Sequence, residues 1–259
     1  MFTKILILSI DCCLTSEFII DTCLKDAESS SSTLYEGFPW INDTLPLSIQ
    51  PSLYRLRLEP NLTTGEFIGA VDIYAAIRQK TDWLILNAKC LEMSEIHFTV
   101  NKLKEKLENS DVKYHPEHDQ LAVKLPAGIE NEFVVMFEFS GRMNRQEIHG
   151  LFFADFYDHE DKNVVSFMIA NFVRTTARTV FPCFDASDFG AHFEVIIGRD
   201  YHMRSLSNGK LNHTIQPRDK MIKYDMFKRT TQLTTTEQLK IFVYDPNTLL
   251  SVISFLENW

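Results

Sequence analysis

Two stretches concentrate the side chains able to do chemistry. The first is His115-Pro116-Glu117-His118-Asp119, two imidazoles and two carboxylates within five residues. A metal pair on one helix face needs histidines four apart and further ligands from elsewhere. Here the spacing is three, and Pro116 cannot sit in a helix interior. The stretch reads as a turn rather than a metal site. His97, His149, His159, His192, His202 and His213 are single and widely separated. The second stretch runs from Val173 to Val195, VRTTARTVFPCFDASDFGAHFEV. In it Arg178 enters an apolar cluster of Val180, Phe181, Phe184, Phe189 and Phe193, Pro182 fixes a corner, and Asp185 lies close enough to pair with Arg178. A charge placed in such surroundings needs a partner. Residue physics therefore favours a structural corner ordered by an Arg–Asp pair over an active site. The sequence holds no Gly-x-Ser-x-Gly elbow, no Gly-x-Gly-x-x-Gly and no phosphate-binding loop.

The elements that must position these residues are strands. From Leu45 onward apolar and polar residues alternate with period two, the pattern of half-buried strands. Tyr54 to Glu59 alternates strictly, Thr64-Gly65 supplies a turn, and Phe67, Gly69, Val71 and Ile73 line one face of the next strand. The habit recurs at 82–86, 95–100, 121–125, 132–139, 164–169, 192–197, 221–227 and 240–244. Many short strands with almost no helical periodicity predict an all-β fold, an antiparallel β-sandwich or saddle-like sheet. One segment departs from it: Asn247 is placed to cap a short C-terminal helix with Leu249, Val252, Ile253, Leu256 and Trp259 on one apolar face. The Leu249–Trp259 stripe calls for a partner, either the sandwich or another chain.

With 259 residues, 35 Asp+Glu against 26 Lys+Arg and a formal charge of −9, the chain can bury a core without disulfide staples. Its acidic balance argues against a nucleic-acid partner. No stretch approaches the roughly 20 uncharged residues of a membrane span. The five cysteines, Cys12, Cys13, Cys23, Cys90 and Cys183, form neither a disulfide framework nor a Cys-x-x-Cys pair. Met1 to Leu14 resembles a secretory signal cut short by Asp11, and sequons at Asn42, Asn61 and Asn212 are candidate N-glycosylation sites. These tilt localisation toward the secretory pathway, with the cytoplasm as the alternative. Residues 27–33, AESSSST, read as a linker. The expected organisation is a leader and polar linker over 1–44, a β domain over 45–245, and the amphipathic helix over 246–259.

The second stretch also resembles the N-terminal β domain of the aminopeptidase N family of zinc metallopeptidases. The family pattern is approximately Asp-Ala-Arg-x-x-Phe-Pro-Cys-Phe-Asp-Glu-Pro-x-x-Lys-Ala-x-Phe. Ala177, Arg178, Phe181, Pro182, Cys183, Phe184, Asp185, Ala191 and Phe193 match it. Upstream, Leu45-Pro46, Pro51, Tyr54, Leu56, Leu58, Pro60 and Leu62 fit the family's opening, and Gly150-Leu151 with Phe156-Tyr157 looks like the segment before the signature. Ser207-Asn208 and Thr230 to Thr236 are similar to the family's segments on its C-terminal side, so the resemblance spans about 45–245.

The resemblance implies that family members carry a Gln or Glu gripping the substrate's free amine from this domain. By register from Arg178 that position is Asn171, one methylene shorter than Gln. Thr176 replaces the family's Asp, Ala186-Ser187 its Glu-Pro and Gly190 its Lys. The family's His-Glu-x-x-His and Gly-x-Met-x-Asn motifs occur nowhere in these 259 residues. Zinc hydrolysis needs three protein ligands and a general base. The chain as it stands is therefore expected to be non-catalytic, without zinc or another cofactor, and to act as a binding or interaction module. The alternative is a fragment or short isoform of a zinc aminopeptidase that removes N-terminal amino acids from peptides, active only with a catalytic domain supplied elsewhere. Expected partners are such a domain or another chain, reached through the Leu249–Trp259 stripe, and peptides.

Overall fold

The computed structural model describes residues 20–21, 37–100, 103–129, 131–158, 163–218 and 221–246. Sixteen strands run through them: β1 (Ile20–Asp21), β2 (Ile49–Asn61), β3 (Glu66–Ile77), β4 (Trp83–Asn87), β5 (Leu91–Val100), β6 (Leu103–Lys106), β7 (Val112–His115), β8 (Gln120–Lys124), β9 (Glu132–Arg142), β10 (Gly150–Asp158), β11 (Asn163–Asn171), β12 (His192–Asp200), β13 (Arg204–Ser207), β14 (Leu211–Ile215), β15 (Ile222–Phe227) and β16 (Ile241–Tyr244). The helical pieces among the described residues are three-residue 3-10 turns at Asn109–Asp111, Ala177–Thr179 and Thr236–Gln238. The fold is all-β, as the period-two alternation predicts. The C-terminal helix expected over 246–259 lies, except for Pro246, outside the described residues, as does most of the 1–44 stretch.

Three sheets make up the fold. The largest has the order β1-β5-β9-β3-β2-β12-β15-β14, with β6 on β5. All its pairings are antiparallel except β2 with β12, which run parallel from Leu53 opposite His192 to Leu58 opposite Ile197. A four-stranded sheet has the order β10-β11-β16-β13 and a three-stranded sheet the order β4-β8-β7. Period-two alternation puts Tyr54, Leu56 and Leu58 of β2, Val71 and Ile73 of β3, and Val135 and Phe137 of β9 on the inner face. They join residues of the two small sheets, such as Leu84, Leu121, Met168 and Ile241, in one hydrophobic cluster. The inner face also explains Gly69, which pairs with Phe139. A Cβ at Gly69 would lie 2.5 Å from the Phe139 ring. The glycine is the space in which that ring lies.

Residues 37–44 pack against the body. Buried Gln120 donates from Nε2 to the carbonyls of Asn42 and Asp43, each at 3.0 Å, and Lys113 Nζ donates to Gly37 O at 2.8 Å. Phe38 and Trp40 lie against the core. Further upstream, β1 pairs with Glu92 and Met93 of β5.

A buried charge network ties two sheets together where the chain crosses between them. Asp225 of β15 accepts from Arg199 Nε and Nη2 of β12 at 2.5 and 3.0 Å, Thr214 Oγ1 of β14 at 2.6 Å and Ser205 Oγ of β13 at 2.7 Å. Its side chain is 2% exposed. Burial alone would push the Asp225 carboxyl up, but the hydrogen bonds from Arg199, Thr214 and Ser205 outweigh it and hold the group below its ordinary value. A carboxyl depressed in the folded state stabilises the fold above its unfolded pKa, near 3.9, and loses that contribution as pH falls through the folded value. Asp225→Asn leaves Arg199 buried without its counter-charge, an expected loss of about 3–5 kcal/mol at neutral pH. Urea unfolding across pH should show the gap between wild type and variant full at neutrality and shrinking below about pH 4.

Candidate functional site

The signature residues form a bolt joining all three sheets. The chain leaves β11 at Asn171, makes the Ala177–Thr179 turn and turns again at Pro182 before β12. Arg178 meets Asp185 through both backbone and side chain: Arg178 N donates to Oδ2 at 3.3 Å and Nε to the same oxygen at 3.1 Å. Asp185 Oδ1 accepts from Thr236 Oγ1 at 2.6 Å, which ties in the turn leading to β16. Asp185 N donates to Asn87 Oδ1 at 3.3 Å, and Asn87 and Cys183 exchange backbone hydrogen bonds of 2.8 and 3.0 Å, which ties in β4. Phe184 N donates to the Tyr54 hydroxyl at 3.1 Å, which ties in β2. Arg178 also lies 3.8 Å from Asp119, so the β7–β8 turn reaches the same centre.

This arrangement is built for order, not turnover. Asp185 is 2% exposed and both its oxygens are committed. Burial, then the charge of Asp185, pushes the Cys183 thiol well up, leaving it a neutral apolar filler. Burial likewise pushes the Tyr54 hydroxyl well up. Tyr54 stacks on Phe193 at 4.8 Å and meets Phe181 edge-on at 6.1 Å, packing worth something beyond area burial. The Arg–Asp pairing expected from residue physics is present.

Asn171 occupies the end of β11, opposite Gly150 of β10. Its Nδ2 donates to the carbonyl of Ile148 at 2.6 Å, which orients the amide and leaves Oδ1 without a hydrogen-bond donor among the described residues. Behind it the backbone is strained: Arg174 and Thr175, neither glycine, take φ of 56° and 58° in succession. Thr176, standing where the family pattern has Asp, stitches this turn. Its hydroxyl lies 2.9 Å from Val173 O and 3.1 Å from Asn171 O and accepts from Gly150 N at 3.3 Å. Gly150 has φ +64°, and a Cβ there would lie 2.5 Å from Thr179 Oγ1. The amide is thus mounted on a turn held on one side by β10 and on the other by the Arg178 bolt.

The other expected residues are spread apart. His115 and His118 stack face to face, ring centroids 4.3 Å apart and planes within 9°. The in-plane lone pairs of parallel rings cannot converge on one ion. No group of three His, Cys, Asp or Glu among the described residues could hold a metal, so the zinc that the family resemblance implies has no fitting donor set among them. The sequon residues Asn42, Asn61 and Asn212 are all exposed. Asn61 Oδ1 caps its turn by accepting from Thr63 N and Thr64 N, and Asn212 lies on the exposed strand β14. The Leu249–Trp259 stripe lies outside the described residues. No described helix is long and apolar enough to cross a membrane. Sequence reasoning missed Asn87, Thr236 and Asp119, whose contacts with Asp185 or Arg178 span 98, 51 and 59 positions, beyond any local pattern. It also missed the Asp225 network. Only the polarity of Asp225 within the 221–227 alternation could have hinted at it.

Asp185→Asn removes one charge from the bolt and leaves Arg178 half-buried beside a neutral amide. An expected loss of about 3–5 kcal/mol should appear as a lower urea midpoint. Peptide-resolved alkylation should find Cys183 protected in wild type and labelled faster in the variant.

Residues 50–236 match the model of the Peptidase M1 N-terminal domain. Endoplasmic reticulum aminopeptidase 2 of Bos taurus is 29% identical over 232 residues, covering 86% of this chain and 24% of the relative. Puromycin-sensitive aminopeptidase of Caenorhabditis elegans is 28% identical over 169 residues, 64% of this chain and 17% of the relative. Aminopeptidase M1-A of Oryza sativa subsp. japonica is 31% identical over 172 residues, 63% of this chain and 19% of the relative. The chain spans about a quarter of the length of the endoplasmic reticulum relatives and aligns with their N-terminal domain. With the match covering most of the chain and the signature forming the centre of its fold, this protein belongs to the Peptidase M1 N-terminal domain family.

Proposed function

We propose that this chain is a non-catalytic recognition module that holds the free amine end of a peptide, without hydrolysing it. The observation that carries this reading is the Asn171 amide, whose Nδ2 is engaged by Ile148 O at 2.6 Å so that Oδ1 is presented as an acceptor. A peptide ammonium donates to such an oxygen in a charge-assisted bond of about 1.5–3 kcal/mol. The shorter Asn sets the oxygen back by one methylene compared with Gln, which weakens the grip. A second reading is favoured by the quarter-length coverage of the aminopeptidase relatives. In that reading the same amide serves a zinc aminopeptidase whose catalytic residues come from another domain, and release of N-terminal amino acids belongs to the assembly.

Calorimetric titration of the full chain with a short peptide, free or N-acetylated, tests the first reading. Acetylation removes the ammonium and should weaken binding by about 10- to 100-fold. Asn171→Ala should abolish the difference, Asn171→Gln should enlarge it, and binding should fall as pH rises past the α-amine pKa near 8. Equal affinity for both peptides would overturn the reading. Zinc analysis and aminoacyl-substrate assays of the same protein should show neither stoichiometric metal nor turnover. Turnover restored by adding a separate M1 catalytic domain would favour the second reading.

A further inference from the structure

The crossing from β13 to β14 frames a cleft of about 740 Å³, on a different element from Asn171. Of its four Lys and Arg side chains, only Arg199 is engaged in an ion pair among the described residues. Arg204, Lys210 and Lys223 line it, and none makes an ion pair among the described residues. Its one lining carboxylate, Asp225, is saturated by Arg199, Thr214 and Ser205 and offers them nothing. The cleft is therefore strongly positive in a chain whose formal charge is −9. Three exposed apolar side chains line the same space: Tyr201 at 50%, Leu206 at 47% and Leu211 at 45% exposure. Ser207 lines it too, and its buried Oγ has no hydrogen-bond partner among the described residues. The two strands that frame it, β13 and β14, are each the last in their sheet.

Side chains two apart on a strand share a face. In β13 Arg204 and Leu206 are both exposed while Ser205 is buried. The surface thus presents a cation and an aliphatic group at the spacing at which an extended chain presents its own alternate side chains. We infer that this cleft docks an extended polypeptide segment in which a carboxylate and an aliphatic residue alternate, of the form Asp/Glu-x-Leu/Val. The carboxylates meet Arg204, Lys210 and Lys223, and the aliphatic side chains cover Leu206 and Leu211. Complementarity of charge selects the acidic segment and steers its approach, while the apolar pair distinguishes it from a simple polyanion.

The test is fluorescence anisotropy of the full chain with three labelled octapeptides, each a four-residue unit repeated twice so that the alternate residues share one face: Glu-Ser-Leu-Ser (Glu/Leu), Glu-Ser-Glu-Ser (all-Glu) and Lys-Ser-Leu-Ser (Lys/Leu). The Glu/Leu peptide is expected to bind best, with affinity falling as salt rises. Arg204→Glu with Lys210→Glu should weaken it by at least about tenfold, and Leu206→Ser with Leu211→Ser by about tenfold. All four positions are exposed, so unchanged thermal unfolding should accompany these losses. Binding of all-Glu equal to Glu/Leu and unaffected by the leucine variants would overturn the proposal in favour of a polyanion. Self-association of the chain that the leucine variants abolish would overturn it in favour of a second copy. Absence of binding by any of the three peptides would overturn it outright.

Discussion

A single buried carboxylate carries the architecture. Asp185 is 2% exposed and takes hydrogen bonds from Arg178 and Thr236, while its own amide donates to Asn87. Asn87 lies on β4 of the three-stranded sheet, while Arg178 and Thr236 lie on the turns that precede β12 of the largest sheet and β16 of the four-stranded one, so satisfying one charge fixes the relative placement of all three sheets. A buried ion pair is not in itself a strong source of stability, because desolvation cancels much of the attraction. Its worth lies in specificity: only one docking of the three sheets places every donor within reach of Asp185. The aromatic packing of Tyr54, Phe181 and Phe193 then fills the space that this docking defines.

The recognition proposed for Asn171 depends on that order. Asn171 is six residues from a turn that is itself pinned by Arg178, and the left-handed pair Arg174–Thr175 is tolerable only because both ends of the turn are held. Gly150 lets β10 approach closely enough for Thr176 to reach its N–H. One side of the signature is thus structural and the other presents an acceptor. The structural corner expected from the Arg178–Asp185 pair and the proposed acceptor at Asn171 lie at adjacent ends of the same segment.

Much of this was legible in the sequence. Alternation located the strands because one face of each is buried, and the Arg178–Asp185 pair could be read because the two residues are seven apart within an apolar run. The partners Asn87, Thr236 and Tyr54 could not be read, since each reaches the signature across dozens of residues that only sheet topology brings together. Residues 37–44 fall within the stretch expected as leader and linker, yet the two bonds from Gln120 and the packing of Phe38 and Trp40 hold them to the body. The cationic cleft was hidden for a different reason. Its residues are ordinary surface types, and the proposal for them rests on the lack of unengaged counter-charges beside them among the described residues rather than on any motif.

Residue-resolved hydrogen exchange of the native chain tests most directly whether the Asp185 centre is what holds the sheets together. The amides of Asn87, Cys183, Phe184 and Asp185, all hydrogen-bonded across it, should exchange only through global unfolding, at the slow rate of the β2–β3 ladder. Exchange of these four amides by local opening, while the β2–β3 ladder stays protected, would contradict it.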